Sequence, residues 1–410
     1  MSPGMTDPAY PSDVVFVPDV AVGRSFYALL RYCEREDFRG FDPYDGLTSP
    51  LLKSFPLLYR SRLIRLAWIQ FFKRSPINLR GLTGIRKTYN AKALGLFLTS
   101  YCRLYQQDGD QSHLAKIRAL TNQILDVSIK GYSGACWGYN FDWESRAFFQ
   151  PGDTPTVVVT SFVACALLDA YEVLEEPLLL TIARSACDFV LKDLNRTVDD
   201  QTNFCFSYSP RDRAVVYNAS LLGSKLLSRV YAHTREPLLK AEAARSVAFC
   251  CDRQQASGAW SYGAQPFHRW VDNFHTGFNL ECLQVFMRCC DDDRYRSHLE
   301  KGLDYYLRSF FTPEGVPKYY DDAVYPIDIH APAQLVITLA CLGKTKEYRE
   351  LIDRVLHWTI EHMQDPRGYF YYQINKYFTS RIPYMRWSQA WMFLALSTYL
   401  TLDENLDRFY

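Results

Sequence analysis

The stretch TPTVVVTSFVACALLDAYEVL (residues 154–174) would place apolar side chains on every side of a helix. Such a helix is stable only if neighbours cover its whole circumference, so the stretch predicts a buried helix. The next stretch, EPLLLTIARSACDFVLKDL (176–194), repeats apolar residues at i, i+3, i+4 and i+7, which indicates a helix with one solvent face. Together they predict a helical hairpin with one buried and one half-exposed member.

This alternation of apolar and amphipathic helices recurs along the chain. Buried helices are expected to begin near residues 86, 156, 214, 271, 328 and 386. Two concentric layers, with buried helices inside and amphipathic helices outside, satisfy this pattern. We therefore predict an all-α fold, an (α/α)6 toroid built from about six helical hairpins. The alternative is an open α-solenoid, which would need more regular repeat lengths and polar end caps than this chain has.

Short turns rich in glycine and aromatic residues separate the predicted hairpins. They are GYSGACWGYNF from Gly131, NFCFSYSP from Asn203, GAWSYG from Gly258, GVPKYYDD from Gly315 and GYFYYQ from Gly368. In a toroid these turns would share one rim. Aromatic residues make up 15% of the chain, and the Trp and Tyr beside these turns predict an aromatic rim that suits a sugar.

The charge balance and the two ends of the chain set further expectations. With 46 Lys and Arg against 45 Asp and Glu, the 410-residue chain lacks the basic excess of a non-specific nucleic-acid binder. Residues 1–20 are expected to form a loose arm and residues 21–410 a single domain. We identify neither a signal peptide nor a run of 18 apolar residues, which predicts a cytoplasmic protein with no membrane span.

The twelve cysteines form no C-x-x-C pair and lie mostly in apolar stretches, so we expect reduced, buried thiols and no metal site. The chain also lacks the P-loop, the Rossmann G-x-G-x-x-G, the G-x-S-x-G elbow and H-E-x-x-H. The sequence therefore predicts no cofactor.

Candidate chemical residues gather at the aromatic turns and at the starts of the following buried helices. Asp272 and His275 are three residues apart and share a helix face, which suits acid and base chemistry, although Asp272 could equally be a helix cap. The candidate catalytic residues are Asp142, Asp272, His275, Tyr320, Asp321, Asp322 and His330. The candidate substrate-binding residues are Arg86, Trp137, Trp260, Tyr262, Asp328, Tyr371, Arg386 and Trp387.

Several phrases resemble proteins encoded in bacterial exopolysaccharide and capsule clusters. Among them are GFDPYDGLTSPL (40–51), CWGYNFDWESRAFF (136–149), WVDNFHTGFNLECL (270–283), YPIDIHAPAQ (325–334) and RIPYMRWSQAWMFLALS (381–397). The resemblance covers about residues 25–400. It implies a six-hairpin glycosidase-like toroid and a setting in polysaccharide biosynthesis, with other synthesis proteins as partners. It assigns no catalytic residue.

Three functional hypotheses follow. The leading one is cleavage or transfer of a glycosidic bond by paired carboxylates, with Asp272, Asp321 or Asp322 as the acid. Its substrate would be a glycan, or a sugar linked to a lipid or to a nucleotide. The second is a uronate lyase or C5-epimerase, in which a Tyr or His base removes a proton and Arg86 or Arg386 neutralises the carboxylate. The third is a non-catalytic factor for glycan binding or assembly.

Overall fold

The molecule is an all-helical ring with helices in two layers. A computed structural model describes residues 19–144, 149–198 and 202–402. Six inner helices follow one another around the ring: α5 (Ala91–Asp108), α7 (Val157–Leu174), α9 (Tyr217–Thr234), α11 (Asn273–Cys290), α13 (His330–Cys341) and α15 (Ala390–Leu400). Each contacts the next, and α15 contacts α5. This last contact closes the ring, so the predicted toroid is confirmed and the open solenoid is excluded.

The outer layer covers the solvent side of the inner helices. It comprises α1 (Val20–Arg35), α6 (Gln111–Asp126), α8 (Pro177–Lys192), α10 (Pro237–Cys251), α12 (Arg296–Phe310) and α14 (Arg349–Met363). Each of the outer helices α6, α8, α10, α12 and α14 packs on the inner helix that precedes it in the chain. Helix α1 instead packs on α15 and α14. The first helix of the chain thus completes the sixth hairpin with the last. Residues 1–18 of the predicted arm lie outside the described residues.

The inner helices begin within five residues of the predicted positions, and side-chain caps fix several of these starts. Asn90 caps α5, Thr156 caps α7 and Asp272 caps α11, each by accepting backbone N–H bonds of the first turn. The largest shift is at α5, because the residues before Asn90 run extended. A π-helical turn, Met385–Gln389, precedes α15.

Helix α7 shows why the apolar stretch is buried. Its residues from Val157 to Ala170 are almost all inaccessible, since α5 and α9 flank it and α8 packs behind it. Of the helices in the described ranges, α7 alone is long and apolar enough to cross a bilayer, but 72% of it is buried inside the ring. All twelve cysteines are free, and all but Cys289 are fully buried.

The glycine and aromatic turns lie at one rim. Their described residues form nine two-residue strands: β1 (Gly138–Tyr139), β2 (Trp143–Glu144), β3 (Phe149–Gln150), β4 (Thr154–Pro155), β5 (Arg196–Thr197), β6 (Cys205–Phe206), β7 (Ile327–Asp328), β8 (Gln373–Ile374) and β9 (Thr379–Ser380). The antiparallel pairs are β1–β4, β2–β3, β5–β6, β7–β8 and β8–β9. These short ribbons hold the chain where it returns from an outer helix to the next inner helix.

A small helical cap lies between α1 and α5 at the same rim. It consists of α2 (Pro50–Lys53), α3 (Pro56–Arg60) and α4 (Arg62–Arg74), and α4 contacts β2. Its own core contains Leu47, Leu52 and Ile69. An ion pair of 2.7 Å between Arg65 and Glu144 fastens the cap to the ring.

Candidate functional site

A central cavity opens among the first turns of the inner helices. Its volume is about 110 Å³. All six hairpins contribute to its wall, which is formed by Tyr44, Lys92, Tyr139, Phe141, Trp143, Val158, Tyr208, Asn218, Leu222, Tyr262, Phe274, His275, Phe278, His330, Arg386 and Trp387. No carboxylate belongs to this wall as far as the described residues go. Within the same ranges no three His, Cys, Asp or Glu gather to hold a metal ion.

His275 is the cavity's most clearly oriented titratable side chain. Its Nδ1 lies 2.7 Å from Oδ2 of Asp272, and its backbone N–H donates to Oδ1 of the same carboxylate at 3.0 Å. Asp272 is 2% exposed and also accepts a hydrogen bond of 3.0 Å from Trp270 Nε1. Because the carboxylate receives the Nδ1 proton, Nε2 of His275 keeps its lone pair. This arrangement suits a general base.

Aromatic rings fix the position of the His275 imidazole. Tyr262 packs edge-on against it with ring centres 4.8 Å apart, and Tyr262 is itself stacked on Trp270 at 4.7 Å. Phe274 lies on another side at 4.3 Å. These contacts leave the imidazole one partly exposed side, which faces the cavity.

His330 supplies a second imidazole from the neighbouring inner helix. Its ring stacks on Phe274 at 4.2 Å and lies 4.1 Å from Trp391. It is 2% exposed, and neither ring nitrogen has a hydrogen-bond partner in the described part of the chain. Burial lowers the pKa of His330 well below its usual value, and the positive charge of Lys92 lowers it further. The ring is therefore neutral, with one donor and one acceptor free for a ligand.

The two imidazoles contact the same phenyl ring. Phe278 is 5.9 Å from the ring centre of His275 and 5.7 Å from that of His330. A molecule in the cavity can therefore meet two nitrogen groups that come from different helices.

Lys92 lies in an aromatic cage at the cavity wall. Its Nζ is 4.1 Å from the ring centre of Phe162, 5.1 Å from Trp391 and 5.3 Å from Phe278. Burial lowers the pKa of Lys92 well below its usual value, and Arg386 lowers it further. An anionic ligand would favour the charged amine, because it would supply the counter-charge that the cage lacks.

Arg386 brings a permanent positive charge to the same wall. Its guanidinium makes two hydrogen bonds with the carboxylate of Asp42, and both side chains are buried. It also lies 5.1 Å from the ring centre of Tyr139. Asn218 adds a buried amide whose Nδ2 finds no partner among the described residues. The wall thus offers donors and positive charge to a ligand rather than negative charge.

The structure does not bring the predicted carboxylates together in the cavity. Asp272 serves His275 and the helix cap. Asp328 is fully buried and accepts hydrogen bonds from Trp387 Nε1 and Gln373 Nε2, both at 2.9 Å. Burial raises the pKa of Asp328 to about 6. It therefore supports the wall from behind instead of contacting a ligand.

The remaining predicted catalytic residues lie away from the cavity wall. Asp142 accepts a hydrogen bond from Tyr59 and forms an ion pair with Lys53, so it attaches the helical cap to the ring. Asp321 accepts a hydrogen bond from Tyr305, and Asp322 is exposed. Tyr320 pairs its backbone with that of Asp272 in a single β-bridge. The adjacent acids therefore occupy a surface loop, which corrects their expected place at the cavity.

Two predicted stacking tryptophans are structural. Trp137 is 0% exposed and Trp260 is 2% exposed. The indole N–H of Trp137 donates to the carbonyl of Ile124, and that of Trp260 donates to the carbonyl of Cys250. Each indole thus ties a turn to the last residues of the preceding outer helix, where carbonyls lack helical partners. Neither indole lines the cavity, so neither can stack on a sugar there.

Other predicted binding residues divide between the cavity and its surroundings. Tyr262, Arg386 and Trp387 line the cavity. Tyr371 packs beside Asp365, 3.4 Å from its carboxylate. Arg86 lies in a second cleft, with a volume of about 490 Å³, that shares Phe141 and Arg386 with the cavity wall.

Several cavity residues had no individual signal in the sequence. Lys92, Val158, Asn218 and Phe274 each occupy the second position of their inner helix. The repeat thus places the same helix position of four successive hairpins on the wall. Comparing the same position in successive repeats would have found Asn218, which the motif search missed.

Comparisons with known proteins support the fold. No known protein family and no curated protein matches this chain in sequence. Among solved structures, a cellobiose 2-epimerase from Bacillus thermoamylovorans has a TM-score of 0.62 at 12% identity and covers 76% of this chain and 87% of its own. A GH76 α-mannanase from Bacteroides thetaiotaomicron gives 0.60 at 12% identity, with 76% and 86% covered. An unsaturated glucuronyl hydrolase specific for heparin gives 0.60 at 11%, with 92% and 95% covered.

At these identities the likeness establishes the fold alone. The chain shares the (α/α)6 toroid of these six-hairpin glycosidase-like structures. The link to exopolysaccharide and capsule clusters stays a prediction from the sequence.

Proposed function

We propose that this protein is a carbohydrate-modifying enzyme that moves a proton at a sugar carbon next to a carbonyl or carboxylate group. His275 acts as the base and His330 as the second proton-transfer group. The observation that carries this proposal is the pair of imidazoles in one cavity, one oriented by Asp272 and the other with both nitrogens unpartnered in the described residues.

The proton balance of this reaction needs no cofactor. Nε2 of His275 takes the proton from the carbon, and the electron pair moves onto the adjacent carbonyl or carboxylate oxygen. Arg386 stabilises that developing negative charge with its permanent positive charge, and the same negative charge favours the protonated form of Lys92, which then stabilises it as well. The developing negative charge favours protonation of His330, which takes a proton from solvent. Return of that proton to the same carbon inverts its configuration, and return to the neighbouring carbon would isomerise the sugar.

Glycosidic cleavage by paired carboxylates fits this cavity less well. That reaction needs two carboxyl groups on either side of the bond to be broken. The wall, over the described ranges, contains no carboxylate, and Asp321 and Asp322 lie in a surface loop. The second sequence hypothesis, proton chemistry on a uronate, agrees better with the histidines and with the positive wall.

The sugar substrate is supported by the lining and by the structural relatives. Aromatic rings form most of the wall, and such rings stack on the C–H faces of sugars. One relative in fold is named as a cellobiose 2-epimerase and another as an unsaturated glucuronyl hydrolase. Polysaccharide biosynthesis, partner synthesis proteins and a cytoplasmic location remain parts of the proposal that rest on the sequence resemblance.

Proton exchange with solvent is the direct test. The protein is incubated in deuterated water with aldoses, disaccharides, hexuronates and uronate polymers, and deuterium in the sugars is measured by NMR. We expect deuterium on a carbon next to the carbonyl or carboxylate, and a loss of about 10² to 10⁴-fold in His275→Gln and in His330→Gln.

A matched histidine variant controls for general effects. His362 lies exposed on the outer helix α14, so His362→Gln should exchange at the wild-type rate. Two results would contradict the proposal. One is undiminished exchange in both cavity variants, and the other is release of new reducing ends without any deuterium on carbon.

A further inference from the structure

The chain carries its positive charge unevenly, and the excess lies in residues 50–87. This stretch, called here the basic apolar segment, spans the helical cap and the loop that leads to α5. It holds nine Lys and Arg and no Asp or Glu. The rest of the chain holds 37 Lys and Arg against 45 Asp and Glu. A nearly neutral protein is thus strongly polarised, which indicates an anionic partner for this segment.

Part of this positive charge is neutralised inside the molecule. Asp45 pairs with buried Arg80, Asp142 with Lys53, Glu144 with both Arg62 and Arg65, and Glu36 with Lys87. Three further cations are exposed and have no acidic partner in the described ranges: Arg60, Arg74 and Arg86. The segment therefore keeps a net positive surface after its internal ion pairs are counted.

The same segment exposes an unusual amount of apolar surface. Of the twenty large hydrophobic side chains that are exposed in the described ranges, eight lie in these 38 residues. They are Leu51, Phe55, Leu57, Leu58, Leu63, Phe71, Ile77 and Leu82. Leu57 is 82% exposed and Leu63 is 78% exposed. Exposed apolar groups at this density mark a surface that is covered in use.

Helix α4 combines both properties on one face. Its buried side carries Ile69 and Phe72, whereas its exposed side carries Leu63 and Phe71 with Arg74 at its end. A helix with exposed apolar residues flanked by Arg62 and Arg74 on its outward face fits the interface of a lipid bilayer. There the apolar side chains enter the acyl boundary and the cations meet lipid phosphates.

We propose that the basic apolar segment docks the protein on an anionic phospholipid bilayer. An acidic protein surface would match the charge but would not require so many isolated, outward-pointing aliphatic side chains. Nucleic acid would match the charge and leave the leucines in water. A bilayer interface satisfies both groups at once.

The basic apolar segment lies beside the second cleft and close to the central cavity. The second cleft is lined by Thr48, Pro50, Gly84 and Arg86 on the segment's side, and it shares Phe141 with the central cavity. Lys73 of α4 donates a hydrogen bond of 3.0 Å to Tyr44, which lines the cavity. A docked molecule would therefore hold its cleft near the lipid surface, where a lipid-linked sugar would be presented. Docking itself does not depend on which reaction the cavity performs.

Vesicle binding tests the proposal with the full-length protein. Sedimentation with phosphatidylglycerol vesicles should show binding that is lost in 0.5 M salt (roughly a twofold shorter screening length than at physiological strength), and phosphatidylcholine vesicles should bind little. The double variant Arg60→Gln, Arg74→Gln should weaken binding about thirtyfold. The double variant Leu57→Ser, Leu63→Ser should weaken it about tenfold.

Matched changes elsewhere on the surface serve as controls. Leu178 and Leu238 are 61% and 58% exposed at the starts of outer helices, so replacing both by Ser should leave vesicle binding unchanged. The exposed cations Lys301 and Lys376 provide the corresponding charge control. The proposal is overturned if vesicles do not bind, if both lipids bind equally, or if the controls weaken binding as much. It is also overturned if the segment proves to be the interface of a dimer that Leu57→Ser, Leu63→Ser dissociates.

Discussion

Asp272 holds His275 twice across the first turn of α11. Oδ1 accepts the backbone N–H of His275 at 3.0 Å, and Oδ2 lies 2.7 Å from its Nδ1. One carboxylate thus caps the helix and fixes the imidazole tautomer. The two interpretations that the sequence left open for Asp272, a helix cap and a chemical role, are therefore compatible. The chemical role is that of a positioning residue, because His275 and not Asp272 lines the cavity.

The first prediction separates these two roles. Asp272→Asn keeps an oxygen that can cap α11, but its NH₂ group then faces two ring nitrogens that donate to the native carboxylate, those of Trp270 and His275. The imidazole should adopt the other tautomer, with its proton on Nε2. We expect turnover to fall about 10³ to 10⁴-fold with little change in KM, as when a comparable orienting carboxylate is amidated in a protease. Steady-state kinetics and the ¹⁵N shifts of the His275 ring measure the two effects.

Asp110→Asn is the control for the cap alone. Asp110 caps the outer helix α6 through the backbone N–H of Ser112 at 2.8 Å, far from the cavity wall. Asp110→Asn should lower thermal stability slightly, and Asp272→Asn should lower it more, because its buried NH₂ group faces the Trp270 N–H. Only Asp272→Asn should slow turnover. Equal turnover in the two variants would remove Asp272 from the mechanism.

The second prediction concerns the opposite effects of His330 on stability and turnover. Its buried nitrogens lack partners in the described residues, and an unsatisfied buried polar group costs about 1 kcal/mol or more. His330→Phe keeps the stacking on Phe274 and removes that cost. We expect Tm to rise by about 1 to 2 °C in a chain of this length, while turnover falls by at least about 10²-fold.

Tyr372→Phe is the matched control for this opposite change in Tm and turnover. The Tyr372 hydroxyl is likewise buried without a partner in the described ranges, but Tyr372 does not line the cavity. Its removal should raise Tm without changing turnover. If His330→Phe were both less stable and fully active, the ring would be an ordinary core residue.

Hydrophobic periodicity was sufficient to predict the ring. An apolar helix such as α7 has only one way to hide its whole surface, which is to lie between neighbours, and six such helices close a layer. Periodicity could not reveal that α1 pairs with α15, because that contact joins the two ends of the chain.

The site was harder to predict because its residue types have two uses. A tryptophan beside a glycine turn can stack on a sugar or bind the end of a helix, and Trp137 and Trp260 do the latter. His275 and His330 were identified because they begin apolar helices. The acids were misjudged because local sequence does not show whether a loop points into the ring or away from it, as Asp321 and Asp322 demonstrate.

The third prediction follows from the raised pKa of Asp328, which burial brings to about 6. The folded protein holds this proton more tightly than the unfolded chain, in which the pKa is about 3.8. Stability from this group is therefore present at low pH and is lost as pH rises from about 4 to about 6. Asp328→Asn abolishes the titration, so the variant should gain about 3 kcal/mol relative to wild type between pH 4 and pH 7. Urea denaturation across that range measures the difference.

Asp365→Asn should show the opposite sign. Hydrogen bonds from Arg367 lower the pKa of Asp365 to about 2. Its contribution to stability is present above about pH 4 and is lost as pH falls towards 2, so this variant should lose stability relative to wild type as pH rises through that window. A flat difference for Asp328→Asn would mean that its carboxylate remains charged in the fold at pH 4.

The last prediction concerns the ion pair of Asp42 and Arg386, which joins the loop after α1 to the turn before α15. Both side chains are buried, so removing one partner strands the other charge in the protein interior. Asp42→Asn and Arg386→Met should each reduce the free energy of unfolding by about 3 to 5 kcal/mol. The double variant leaves no unpaired buried charge, so it should lose about 2 kcal/mol less free energy of unfolding than the sum of the two single variants.

Asp304→Asn is the control, because it breaks an exposed ion pair with Arg308 and should leave the free energy of unfolding unchanged within error. Additive losses at Asp42 and Arg386 would show that the two groups act independently, and the sixth hairpin would then owe its closure to the apolar packing of α1 against α15 alone.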